Sequence, residues 1–90
     1  MIKIRKIVGN SMLPYFKPGN YALFCRVKIY EVGDIVLISH DNLDKVKRIN
    51  NIDNDNYFVI GDNQGMSTDS RHFGAISKKH IIGKLIWPVN

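Results

Sequence analysis

The chain has 90 residues, which gives room for one hydrophobic core but not two. Thirteen Lys and Arg against eight Asp and Glu leave a net charge of +5, and a composition 44% hydrophobic and 23% charged excludes a disordered or low-complexity chain. No apolar run approaches the ~20 residues of a membrane-spanning helix, and "MIKIRKIVGNSM" lacks the apolar core of a signal peptide.

One minimal domain over residues 1–90 is therefore expected, with no further domain and no transmembrane segment. It would be cytoplasmic or peripheral to a membrane, held there by an anchored partner. The basic excess is concentrated ahead of the first acid, Glu31, at Lys3, Arg5, Lys6, Lys17, Arg26 and Lys28. These residues mostly alternate with apolar ones, as on the wet face of strands. No run of four or more Lys or Arg and no zinc-type spacing accompanies them, so nucleic acid is not the expected partner. The single Cys25 excludes an internal disulfide and reads as a core or edge thiol.

In chain order, "IKIRKIV" alternates Ile2, Ile4 and then Ile7 with charged residues, as a half-buried first strand would. "GNSMLPYFKPGN" follows, with Gly9, Pro14, Pro18 and Gly19 as turn signals and a short helical turn expected near Ser11–Phe16. "YALFCRVKIY" predicts a second strand, and "EVGD" breaks it at Gly33 and Asp34. "DIVLIS" is rich enough in branched residues to be central. "HDNLD" is a turn, "KVKRI" alternates again, and "NNIDNDN" reads as a hairpin or exposed loop before the apolar "YFVIG". "DNQGMSTDSRHFG" follows neither period and is expected to be loop. A second helical turn is expected around Ser77–His80, and "HIIGKLIWPV" ends the pattern as a strand. Short strands separated by Gly, Asn, Asp and Pro predict an all-β fold, coiled and partly barrel-like, with several small sheets.

Four features carry chemistry. Ser11 stands among turn residues, where it is either a capping or turn serine or a displayed nucleophile. A serine hydroxyl needs a base within hydrogen-bond reach. His40, His72 and His80 are candidates, and His72 alone sits in a polar loop. A desolvated lysine is the other option, and Lys47 between Val46 and Ile49 is the best placed. If Val46 faces the core, Lys47 faces outward unless a bend turns it. The loop "GDNQGMSTDSRHFG" gathers Asp62, Asn63, Ser67, Asp69, Ser70, Arg71 and His72. Asp69 and Arg71 there read as an ion pair that ties the loop down.

In that order, "GNSMLP", "GDIVL", "VKRI" and "GDNQGMSTDSRHFG" resemble the successive boxes of the type I signal peptidase family. The family includes mitochondrial inner-membrane and nickel superoxide dismutase maturation branches. The resemblance runs from Val8 to about Gly83, and the last block, G-D-N-x-x-x-S-x-D-S-R-x-x-G, matches at each fixed position. It implies a serine endopeptidase that removes an N-terminal signal or propeptide without a metal or cofactor. Ser11 would be the nucleophile and Lys47 its base, with Ser67 orienting the lysine. Asp69 and Arg71 would support them, and Asp62 and Asn63 would shape the loop. Met12 and Pro14 would border a groove in which a precursor protein lies as an added strand. The oxyanion donors would be the Ser11 N–H and Asn10.

Two departures stand out. Gly9 occupies the position where some relatives carry an oxyanion-donating hydroxyl, and Tyr15 stands where threonine is common. The short span between "VKRI" and "GDNQ", together with the ending "LIWPV", resembles the maturation branch. Two other readings are self-cleavage as in repressor proteases and a binding module of basic and aromatic residues. The first lacks a helix-turn-helix here. The second would use Tyr15, Phe16, Tyr21 and Phe24 beside Lys17 and Arg26.

Overall fold

The computed structural model describes residues 1–88; Val89, the last residue of "LIWPV", lies outside them. The strands are β1 (Ile2–Lys6), β2 (Tyr21–Cys25), β3 (Ile35–His40), β4 (Leu43–Asp53), β5 (Asn56–Ile60), β6 (Ile76–Ser77) and β7 (Ile81–Trp87). A single helical turn, α1 (Ser70–Phe73), and two 3₁₀ turns, Gln64–Met66 and Lys78–His80, complete the described elements. The all-β expectation holds. Instead of several small sheets, the strands form one continuous antiparallel sheet in the order β1-β2-β7-β3-β4-β5-β6.

β3 is central, as its branched residues predict, because it is buried on both faces. Val36 and Ile38 pack with Ile49, Val59, Ile76 and Ile81 on one side. Ile35 and Leu37 pack with Ile7, Met12, Phe16 and Phe24 on the other. The turns fall where Asn and Asp mark them. Asp41 and Asn42 join β3 to β4 with positive φ at both, and Asn54 does the same between β4 and β5.

The sheet is strongly coiled. β1 and β4 are separated by three strands in the ladder, yet Arg5 Nε reaches Asp44 Oδ2 at 3.0 Å. This closure gives the partly barrel-like form and brings the edge of β1 over the first half of β4.

β1 departs from its expected phase. Ile2 and Ile4 are exposed, while Lys3 and Arg5 are half-buried. β1 is an edge strand beside the cleft, and its half-buried Arg5 turns toward Asp44 while the side chain stays partly exposed. The helical turn at Ser11–Phe16 takes the form of turns closed by Leu13 N–H to Asn10 O and Phe16 N–H to Met12 O. The second expected helical turn is the 3₁₀ segment Lys78–His80. The helical turn α1 was not legible by periodicity, since four residues are too few to show one.

Leu37→Ala should therefore cost about 3 kcal/mol, whereas Ile4→Ala should cost well under ~1 kcal/mol. Urea titration of both variants checks the burial phase of the two strands.

Candidate active site

The site starts from the phase of β4. Lys47 pairs across the ladder with Val36 and shares a face with Ile49, two residues on. It does not face outward: it is 4% exposed, and Val46 on the opposite face is only half-buried. The apolar neighbours on both sides of Lys47 left the phase open in sequence. The ladder settles it: Lys47 stands opposite Val36 and so lies on the face where Val36 and Ile38 pack.

The loop between β5 and β6 covers that face. Lys47 Nζ donates to Ser67 Oγ at 2.9 Å, and Ser67 Oγ donates to Asp69 Oδ2 at 2.8 Å. Asp69 is fully buried and also accepts from Gly61 N–H, Arg71 N–H, Arg71 Nε and Arg71 Nη2, at 2.9, 3.1, 2.9 and 3.0 Å. Asp69 also caps α1. His72 Nδ1 accepts from the Asp69 N–H at 3.3 Å, completing a reciprocal box. Ser70 Oγ accepts from Val59 N–H at 2.8 Å and pins the loop to β5.

The electrostatics follow from these contacts. Burial lowers the Lys47 pKa below its ordinary value. Asp69 opposes that shift, while Lys45 and Arg71 add to it. Burial works to raise the Asp69 pKa, but hydrogen bonds from Arg71, Gly61 and Ser67 outweigh it and hold the carboxyl well below the usual carboxylate range. Arg71 is in turn held charged by Asp69.

Ser11 comes to the same place from the other side of the loop. Its carbonyl accepts from Asn63 N–H at 2.8 Å, and Asn63 Nδ2 donates to Asn10 O at 3.1 Å. Asp62 forms a two-point pair with Arg48, with both contacts at 2.8 Å, and Arg48 also lies over the Tyr15 ring at 5.2 Å. A cleft of about 270 Å³ is lined by Ser11, Met12 and Lys47 together with Arg5–Val8, Leu37, Asp44–Val46 and Thr68.

Lys47, Ser67, Asp69 and Arg71 thus form one bonded network, Ser11 and Asn63 a second, and Asp62 is tied to Arg48; Ser11 and Lys47 meet as lining of the same cleft, with no hydrogen bond between them. Met12 lines the cleft but is 2% exposed, so its side chain belongs mostly to the core. Pro14 is exposed and is not among the residues lining the cleft. Asn10 is exposed, with its carbonyl turned to Leu13 and Asn63. Gly9 sits at φ +79° with open space where a Cβ would project; room for a larger residue is therefore present, but the backbone favours glycine.

None of the three histidines lines this cleft. His72 is committed to the helix cap, and His40 and His80 border a separate cavity beside Phe73. The aromatic stripe proposed for a binding module is mostly core. Phe16 and Phe24 are buried, Tyr15 is half-buried, and Tyr21 alone of the four is exposed.

Two contributors escaped the sequence reading. Arg48 links β4 to Asp62 and Tyr15, and only the fold brings these together. Gly61 is the closest approach in the site: a Cβ there would stand 2.2 Å from Ser67 Oγ and 2.7 Å from Ser11 O. Its place at the head of G-D-N was the available signal.

Comparison with known proteins gives the family. Residues 38–90 match the family described as "Signal peptidase, peptidase S26". That stretch is more than half of the chain, and the chain belongs to this family. Ser11 lies ahead of the matched stretch. A 27-residue segment is 63% identical to "Signal peptidase I V" of Bacillus subtilis (strain 168), covering 30% of this chain and 16% of that protein. A 31-residue segment is 48% identical to "Signal peptidase I" of Buchnera aphidicola subsp. Baizongia pistaciae (strain Bp), covering 34% of this chain and 10% of that protein. The matched segments thus span less than a fifth of either relative.

Two outcomes test the site as built. Because the folded pKa of Asp69 is depressed, its contribution to stability is present above the ordinary carboxylate pKa of ~4 and is lost as pH falls below it. Asp69→Asn should remove that acid-side dependence and lower stability at neutral pH by about 3 kcal/mol, read by urea titration between pH 3 and 7. Gly61→Ala should separate Ser11 from Ser67 and appear as large amide shifts confined to those two segments.

Proposed function

We propose that the chain is a serine endopeptidase domain that uses Ser11 as nucleophile and Lys47 as general base. The observation that carries this reading is the buried Lys47, bonded to Ser67, in the cleft that Ser11 also lines.

The hydrogen-bond polarity supports it. Asp69 is ionised and accepts the hydrogen bond from the Ser67 hydroxyl, so Ser67 has only an oxygen lone pair to offer the lysine. A neutral Lys47 has two N–H groups and one lone pair. With an N–H spent on Ser67, the lone pair is left for the proton of Ser11. Burial and the nearby cations Lys45 and Arg71 favour that neutral form.

Ser11 Oγ then attacks the scissile carbonyl as its proton passes to Lys47 Nζ. The oxyanion forms beside the Ser11 N–H, with Asn10 as a second candidate donor. Collapse of the tetrahedral intermediate releases the amine, which takes the proton from Lys47. An acyl ester remains on Ser11, and water activated by the same lysine hydrolyses it. These steps call on side chains and backbone alone.

The substrate would be a precursor protein bound as an extended strand, losing an N-terminal signal or propeptide. The family and the names of the two relatives support the class. The compact span between β4 and the loop favours maturation-type processing, with residues 1–90 acting as one catalytic domain.

Ser11→Ala and Lys47→Ala should each lower turnover by at least ~10³-fold in a folded protein, measured on precursor proteins by sequencing of new N-termini. The wild-type rate should rise with pH along a limb below the ordinary lysine pKa. Arg71→Gln leaves Asp69 less neutralised and removes a cation near Lys47, so the limb should move to higher pH. A limb that stays in place or moves lower in Arg71→Gln contradicts the proposed electrostatics.

A further inference from the structure

β4 puts a second lysine on the side of the proposed base. Lys45 stands two residues before Lys47 and opposite Ile38, so its side chain leaves the strand on the same face, about 7 Å along the chain. A strand lysine without a partner carries its ammonium out to water, where solvent and salt screen its charge from its neighbours. Lys45 does otherwise. It is half-buried, borders the cleft with Lys47, and turns its ammonium onto two rings. Its Nζ lies 3.3 Å from His40 Nδ1 and 5.4 Å from the centre of the Phe73 ring.

The two rings come from separate elements. His40 ends β3 on the same face, two residues beyond Ile38, and so reaches Lys45 across the diagonal of the ladder. Phe73 ends α1, the turn that Asp69 caps, and packs against the core beneath. The His40 and Phe73 rings stack with centroids 3.9 Å apart and planes 22° apart. The stack gives the His40 ring a fixed direction. Because an ammonium only donates, Nδ1 is the acceptor and the ring proton sits on Nε2.

No carboxylate offsets Lys45 directly, as it makes no ion pair among the described residues. Asp44, its neighbour on the other face of β4, is met by Arg5. Around His40, Asp41 Oδ2 lies 3.8 Å from Nδ1 on a side chain 82% exposed, and His80 borders the same cavity. Around Lys47, the other charged groups are Asp69 and Arg71, which are bonded to each other. Lys45 is thus the one cation acting on Lys47 that is held by rings and by no acid.

We propose that His40, braced on Phe73, is a positioning residue for the base: it holds the Lys45 ammonium on the Lys47 face, where that fixed cation keeps the Lys47 lone pair available. The inference rests on the peptidase reading above. Release of Lys45 to water weakens its repulsion of a proton on Lys47, and the base then stays protonated to higher pH.

The test follows the Lys47 ¹³Cε resonance by NMR titration of the full chain and its variants. Lys45→Met removes the cation and should raise the Lys47 midpoint by about half a pH unit. His40→Phe keeps a stacking ring without the acceptor and should raise it by about 0.3 unit. His40→Gln restores an acceptor and should return the midpoint to within ~0.1 unit of wild type. In Lys45→Met/His40→Phe the midpoint should match that of Lys45→Met alone. An unchanged midpoint in His40→Phe, an equal rise in His40→Gln, or a rise from His40→Phe that persists without Lys45 overturns the positioning role. Failure of the peptidase reading looks different. A wild-type Lys47 midpoint level with the exposed lysines contradicts Lys47 as the base, while the order of the variants still decides whether His40 places Lys45.

Discussion

The burial of one lysine governs the arrangement of this protein. An ammonium group taken out of water is unstable unless paired, and Lys47 is almost fully buried on a face it shares with Ile49. The protein gives it a hydroxyl, Ser67, and holds the nearest carboxylate one bond further away. That carboxylate is itself occupied by Arg71 and two backbone N–H groups. Lys47 is thus bonded without being neutralised by a direct ion pair. A direct Asp–Lys contact would stabilise the charged amine and remove the lone pair on which the proposed chemistry depends.

The rest of the fold can be understood as support for that balance. β3 is buried on both faces, and its register with β4 sets Lys47 opposite Val36, hence the side on which Lys47 lies. The loop after β5 is tied at four places: by Asp62 to Arg48, by Asn63 to the Ser11 segment, by Ser70 to β5, and by Asp69 to its own helical turn. Gly61 lets Ser11 and Ser67 come together over bare backbone. Coiling of the sheet then brings β1 beside the first half of β4, and both strands line the cleft that Ser11 and Lys47 share.

Much of this was legible in the residues, for identifiable reasons. "IVLI" is branched and continuous, and such a run is a central strand whichever way it faces. The Asn and Asp turns were legible because their chemistry is local. The phase of β4 was not, because Val46 and Ile49 flank Lys47 on opposite faces and alternation alone cannot choose between them. β1 inverted its phase for a tertiary reason: coiling turns Arg5 toward Asp44, a partner 39 residues away. Arg48 escaped notice because its partners Asp62, Gly33 and Tyr15 meet only in the fold. Asp69 and Arg71 read as an ion pair that braces the loop, and Ser67 entered only through the family resemblance. Neither reading revealed that Asp69 sets the direction of the hydrogen bond from the lysine.

The central claim is that Lys47 is held toward its neutral form while still hydrogen-bonded. The most direct measurement is an NMR titration of the Lys47 side chain, following its ¹³Cε resonance in selectively labelled protein. The account predicts a midpoint clearly below that of the exposed lysines in the same sample. A Lys47 midpoint equal to theirs or above it would mean that the pull of Asp69 outweighs burial, and would contradict the assignment of Lys47 as the base.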